Sequence, residues 1–198
     1  MKIKYIFFII FLGFFIKENL AAKNFNIIAS VNNHIITEID LNNELKIIKF
    51  LNSKDISSEN LTKIAITNLI DEKIKLIEIK SHNIEYIDKE INKYYEIFLI
   101  NSNLKEKKIE DVLKNLIKEK IFIDRSWNNL INQKYAWKIN ININEINNKI
   151  DDKSNNLKEE DIFKIKDNLI SDEKNKKIKV FAKYHFNKIK KDTLIKFY

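Results

Sequence analysis

Only one glycine and no proline occur in the chain, and the glycine, Gly13, lies inside an apolar N-terminal run. A phosphate-binding loop, a dinucleotide-binding glycine turn or a nucleophile elbow needs backbone positions that glycine adopts at low cost. Outside residues 1–22 the chain has none to offer. Glycine-turned sandwiches and barrels are disfavoured for the same reason. Cysteine is also absent, which excludes a disulfide framework, a thiolate metal site and a cysteine nucleophile. What remains is a mainly helical protein that acts by binding.

Charge has to be weighed against composition. Ile, Lys and Asn together fill more than half of the 198 positions, and Arg125 is the only arginine. All three have A/T-rich codons, so an A/T-rich genome would produce this bias whatever the function. The net charge of +8 is therefore weak evidence for nucleic acid, and no nucleic-acid partner is expected. Lys and Glu read as alternating along the chain, the pattern of solvated helix faces, rather than gathering into one basic block.

Residues 1–22 have the three parts of an export signal. Lys2 and Lys4 are the positive start, Tyr5 to Ile16 form a twelve-residue apolar run, and Leu20-Ala21-Ala22 places small residues at a cleavage site between Ala22 and Lys23. The run is shorter than the roughly 20 residues that span a bilayer. Cleavage leaving no stable membrane anchor is the expectation, with an uncleaved anchor as the alternative.

After the signal, two β-prone runs flank Asn32-Asn33 and predict a hairpin, because Asn tolerates left-handed φ. Thr37 is placed to cap a helix over residues 37–52, with Glu38 and Asp40 in its first turn. Apolar periodicity predicts further helices over 59–82, 88–100, 106–116 and 119–139. Ile and Asn alternate over 140–148, which suggests a short extended segment, and 151–156 is the candidate linker. A short helix over 159–170 and a final one over 173–191 precede a β-prone end, Thr193 to Tyr198, which would pair with the N-terminal hairpin. The predicted fold class is all-α, mainly helical, with this short β element. Its parts are 1–22 signal, 23–150 helical domain, 151–172 linker and short helix, and 173–198 C-terminal helix and strand packing back on the helical domain.

The order of these elements resembles the SurA-type periplasmic chaperones, specifically their N-terminal domain joined to their C-terminal helix. Ile28-Ala29-Ser30-Val31-Asn32-Asn33-His34-Ile35-Ile36-Thr37-Glu38-Ile39-Asp40-Leu41 is similar to the family's opening hairpin and helix. Leu69-Ile70-Asp71-Glu72-Lys73-Ile74-Lys75-Leu76-Ile77-Glu78-Ile79-Lys80 is close to its "L-I-D-E-K-L-x-x-Q-E-A" helix, with Ile79 departing from the Ala. Trp137 with Ile139 to Ile146 resembles the exit from the helical domain. Residues 181–198 resemble the closing helix and strand, although Lys190, Lys191 and Thr193 replace the usual Arg and Ala. The family commonly inserts parvulin-type prolyl isomerase domains of about a hundred residues before the closing helix. Some thirty residues, 145–175, stand in that place, so isomerase activity is not expected.

The resemblance implies a periplasmic holdase for unfolded outer-membrane β-barrel precursors, working by reversible binding without a cofactor. Two alternatives stay open: a foldase with a degenerate isomerase insert, and a non-catalytic scaffold for one dedicated envelope partner. Chemistry offers little competition. His34, His82 and His185 are far apart with no metal-ligand spacing, and adjacent acidic pairs such as Asp71-Glu72 diverge around a helix. No catalytic, cofactor-binding or metal residue is expected. Tyr94, Tyr95 and Phe98 are the candidate peptide-binding residues, weighed against a place in the core.

Overall fold

The computed structural model describes residues 26–51, 57–151 and 159–198. The export signal with its Ala22/Lys23 junction, and most of the expected 151–156 linker, lie outside the described residues. Strands β1 (Ile27–Val31) and β2 (His34–Thr37) form the expected hairpin, with Val31 opposite His34. Its turn works because Asn32 takes φ 53°, where a short side chain able to bond locally is tolerated. Asn83 and Asn103 occupy the same left-handed region just beyond two helix ends. Asparagine thus fills the three positions that a glycine-containing chain would give to glycine.

The C-terminal strand β3 (Ile195–Phe197) returns to the hairpin and pairs antiparallel with β1, giving the order β2-β1-β3. Hydrogen bonds from the Asn32 N–H to the Leu194 carbonyl (2.7 Å) and from the Tyr198 N–H to the Ile28 carbonyl (3.0 Å) extend the ladder. The expected union of the two chain regions is therefore present, and the mainly helical fold class with it.

Helix α1 (Glu38–Leu51) starts as the sequence predicts. The Thr37 hydroxyl accepts from the Asp40 N–H, and the Asp40 carboxylate accepts from the Thr37 N–H at 2.7 Å, a reciprocal cap. Helix α2 (Ser58–Ser81) and helix α3 (Asp88–Asn101) follow close to their predicted spans. Two separate helices were expected over 106–139. A turn through Leu104 to Glu110 is instead followed by one unbroken helix, α4 (Asp111–Tyr135), and a short 3-10 turn, Ala136–Lys138. Apolar spacing carries straight through Ile117, Ile121 and Phe122 into Ile123 and Trp127, and no residue there stops a helix.

Residues 143–151 are helical rather than extended. Helix α5 (Ile143–Asp151) begins where the Asn142 side chain accepts from the Glu145 N–H at 3.3 Å, and Ile146 and Ile150 are buried. The Ile–Asn alternation before it switches to helical spacing at Ile143. The two expected C-terminal helices are likewise one, α6 (Glu159–Lys191), 33 residues long.

Burial divides among several clusters. Ile79 of α2, Ile123, Trp127, Leu130 and Ile131 of α4, and Ile178 of α6 make the largest. Each fully buried Ile or Leu there contributes about 1.5–3 kcal/mol. Ala29, Val31 and Ile36 lay the inner face of the sheet on Ile70 and Ile74 of α2, closed by Phe186 and Ile189 of α6 and by Ile195. Ile48, Leu61 and Ala65 join α1 to α2. A fourth cluster ties α3 to α4. Phe186 and Ile189 of α6 pack against both the main and the sheet cluster and join them.

Candidate functional site

The best-formed furrow runs between α2 and α4. Residues 116, 119, 120 and 123 share one face of α4 and oppose Leu69, Glu72, Lys73 and Leu76 of α2 across a cavity of about 100 Å³. Ile36 of the sheet and Glu44 and Ile47 of α1 close its end. Past Leu76 and Glu119 it continues into an open depression lined by Lys80, Tyr86, Asn115 and Phe122. Tyr86 and Phe122 lie with ring centroids 5.1 Å apart, and both Tyr86 and the neighbouring Ile87 are exposed. Apolar and charged side chains line the cavity in equal number, with Ile36, Ile47, Leu69, Leu76, Leu116 and Ile123 beside Asp40, Glu44, Glu72, Lys73, Glu119 and Lys120.

One ammonium group organises the charged lining and bridges the cavity. Lys120 of α4 reaches Glu44 of α1 at 2.6 Å and also contacts Glu72 of α2, while Glu44 accepts the Asn68 amide at 2.9 Å on its other oxygen. Glu44 is 3% exposed, so its charge depends on these two donors. Burial works against the Lys120 charge, but Glu72 and Glu44 outweigh it and hold the ammonium above its ordinary range. Burial pushes the Glu72 carboxyl up, helped by Glu44 and Asp124 and only partly opposed by Lys120. The triad joins three helices and fixes the width of the furrow.

A second polar cluster sits where α6 meets α2 and α4. Glu78 accepts from Lys134 at 2.7 Å and from the His185 Nε2–H at 3.0 Å, and the Tyr135 hydroxyl and His185 Nδ1 share a hydrogen bond of 2.9 Å. Burial alone would raise the Glu78 carboxyl, yet the hydrogen bonds from Lys134 and His185 prevail and hold it below its ordinary range. Trp127 packs against the His185 ring with centroids 5.6 Å apart, and His185 is buried. His82, at the end of α2, comes within 4.0 Å of the same carboxylate. Two histidines far apart in sequence thus converge on Glu78. Only His185 ties α6 to α2, since His82 and Glu78 belong to the same helix end, and among the described residues no group of His, Asp and Glu side chains is arranged to hold a metal ion.

The three candidate peptide-binding residues lie on the opposite side of α4 from the furrow. Tyr95 is buried with Leu99, Leu104 and Ile117, and Phe98 is half-buried against the same cluster. Tyr94 is half-buried beneath the Arg125 guanidinium, 4.0 Å from its ring centroid. They do not form a groove together. Ile91, Tyr95 and Leu99 recur every four residues, which is the signal that Tyr95 belongs to the core. Sequence reasoning missed Tyr86, Leu116 and Phe122 as furrow residues. Apolar residues run along two faces of α4, and the pattern alone does not say which face α3 covers.

Among the described residues no helix is long and apolar enough to cross a membrane. A scan against protein-family models finds no match to the chain, and a search of curated proteins finds none.

Proposed function

We propose that the protein is an exported holdase, a SurA-like chaperone without an isomerase domain, that binds extended segments of unfolded outer-membrane β-barrel precursors in the periplasm. The observation that carries this reading is the α2–α4 furrow, lined by apolar and charged side chains and continuing into an open depression at Tyr86, next to exposed Ile87. Such a surface supplies loose, non-directional affinity for alternating apolar and aromatic side chains. The return of α6 and β3 to the N-terminal hairpin supports it further, since the resemblance rests on that order of elements. No bond is made or broken in this mechanism.

The test is light scattering of a urea-diluted outer-membrane barrel protein with residues 23–198 at near-equimolar ratio. Suppressed scattering, without faster proline-limited refolding of a model substrate, is the expected result. The pair Tyr86→Gln and Ile87→Gln should weaken suppression several-fold while melting is unchanged, because both side chains are exposed. Absence of suppression by the parent protein overturns the proposal and favours a single dedicated partner.

A further inference from the structure

Charge along the end of α6 departs from the Lys–Glu alternation read for the chain as a whole. Its last eighteen residues, 174–191, hold eight lysines and no acidic residue, bracketed by Glu173 and Asp192. Residues 125–144 also lack Asp and Glu but carry only Arg125, Lys134 and Lys138, so what sets 174–191 apart is the density of lysine in an acid-free run. The fold sorts the run into two faces. Ile178, Phe181, His185, Phe186 and Ile189 turn inward and lock the helix to α2, α4 and the sheet. Lysines 176, 179, 183, 188 and 191 are all exposed at helical spacing on the outward half. Among the described residues none of these five has an ion-pair partner; Lys190, which does, reaches inward to Asp71 at 2.7 Å.

Within that stripe stand Val180 and Tyr184, one turn apart and 68% and 61% exposed. From Lys176 to Lys191 the stripe is about 23 Å long. We infer that it docks the protein peripherally on an anionic phospholipid surface. The charge is of one sign and spread over the outward half of a single helix, with Lys179 and Lys188 at its two edges and Val180 and Tyr184 between them, so long lysine side chains on both edges can reach the phosphates of a lipid surface that the two central side chains face. An extended acidic polypeptide would need a concave track to do the same. Val180 and the Tyr184 ring suit the boundary between headgroups and acyl chains, where an amphipathic ring with a polar tip is stable. Attachment of this kind needs no spanning segment and does not depend on the holdase reading.

The experiment is co-sedimentation of residues 23–198, which contain every described element, with vesicles of phosphatidylcholine alone or with about one-third phosphatidylglycerol. Binding to the anionic vesicles only, released at about 0.5 M salt, is expected. The triple variant Lys179→Gln, Lys183→Gln, Lys188→Gln should lose affinity on the order of 100-fold. A control triple on other exposed lysines, Lys89→Gln, Lys93→Gln, Lys108→Gln, removes the same net charge and should change binding only a few-fold. Both variants alter exposed residues, and unchanged melting verifies their folding. Equal binding to both vesicle types, no binding to either, or equal losses in the two triples overturns the inference. So does a stripe variant that keeps its vesicle affinity and instead loses capture of an acidic unfolded polypeptide.

Discussion

Replacing Lys120 by methionine should be among the most damaging single changes in the protein, though it alters neither shape nor apolar packing much. At 2.6 Å from Glu44, the ammonium contributes a gross attraction of roughly 6 kcal/mol at an effective dielectric of about 20. Release of the desolvation cost of Lys120 itself offsets part of this. The residue left behind decides the balance: the Glu44 side chain is 2% exposed and would keep only the Asn68 amide. Orphaning a buried charge costs about 3–5 kcal/mol. With a urea dependence of about 2 kcal/mol/M, the unfolding midpoint should fall by about 2 M. Trp127 is 5% exposed in the main cluster, so its fluorescence reports the transition. Adding Glu44→Gln to Lys120→Met removes the stranded charge while keeping an acceptor for Asn68, and should recover most of the loss. A single-variant cost below about 1 kcal/mol, as for a solvated surface pair, would refute the reasoning. A double variant less stable than the single one would do so as well.

Removing residues 181–198 takes Phe186, Ile189 and Ile195 from the sheet cluster and Phe181 from the main one, so cooperative thermal unfolding should be lost; an unchanged melt of the truncated form contradicts this. Glu78 has its carboxyl lowered from 4.5, so the stability it adds is present above about pH 4.5 and is lost as pH falls through the lowered folded value. Glu78→Gln should therefore cost about 2 kcal/mol at pH 7 and progressively less in acid, which urea melts across pH 2–7 would reveal. Glu72 is raised instead, with the opposite sign: its favourable contribution exists below pH 4.5 and disappears as pH rises through the raised folded value. Glu72→Gln should accordingly leave neutral-pH stability within about 1 kcal/mol of the parent, since Glu44 still pairs with Lys120; a loss above 3 kcal/mol would contradict that. Tyr95→Ala should cost about 3–5 kcal/mol by emptying the α3–α4 cluster. A binding defect in that variant without any fall in stability would return Tyr95 to the client surface.

Local chemistry made the N-terminal part of the fold legible. Asn32 at the turn, Thr37 and Asp40 at the first cap, and the period of α2 each act within a few residues. The partnership of β3 with β1 was also readable, because a β-prone end has few places to go in a helical protein. Helix ends were harder to place. In a chain without proline and with glycine only at position 13, polar stretches such as Ser171-Asp172 carry no stop signal, and α6 runs straight through them. The site was less legible still. Glu44, Glu72 and Lys120 lie on three helices, and their meeting depends on crossing geometry that no spacing encodes. Glu78 and His185 are separated by 107 positions yet share a hydrogen bond.

The placement of β1 between β2 and β3 bears on when this protein is able to fold. Ribosomes deliver a chain from its N-terminus, so the hairpin emerges well before β3 and its central strand has one side vacant. Ser30 waits for Tyr198, 168 positions later, and Val31 waits for Ile195. Contacts of such sequence separation form slowly, because loop closure precedes any gain from them. Until the last few residues are released, an exposed strand edge is presented to its surroundings, the kind of edge on which other chains assemble. A protein proposed to shield unfinished chains is, during its own biogenesis, in need of the same shelter.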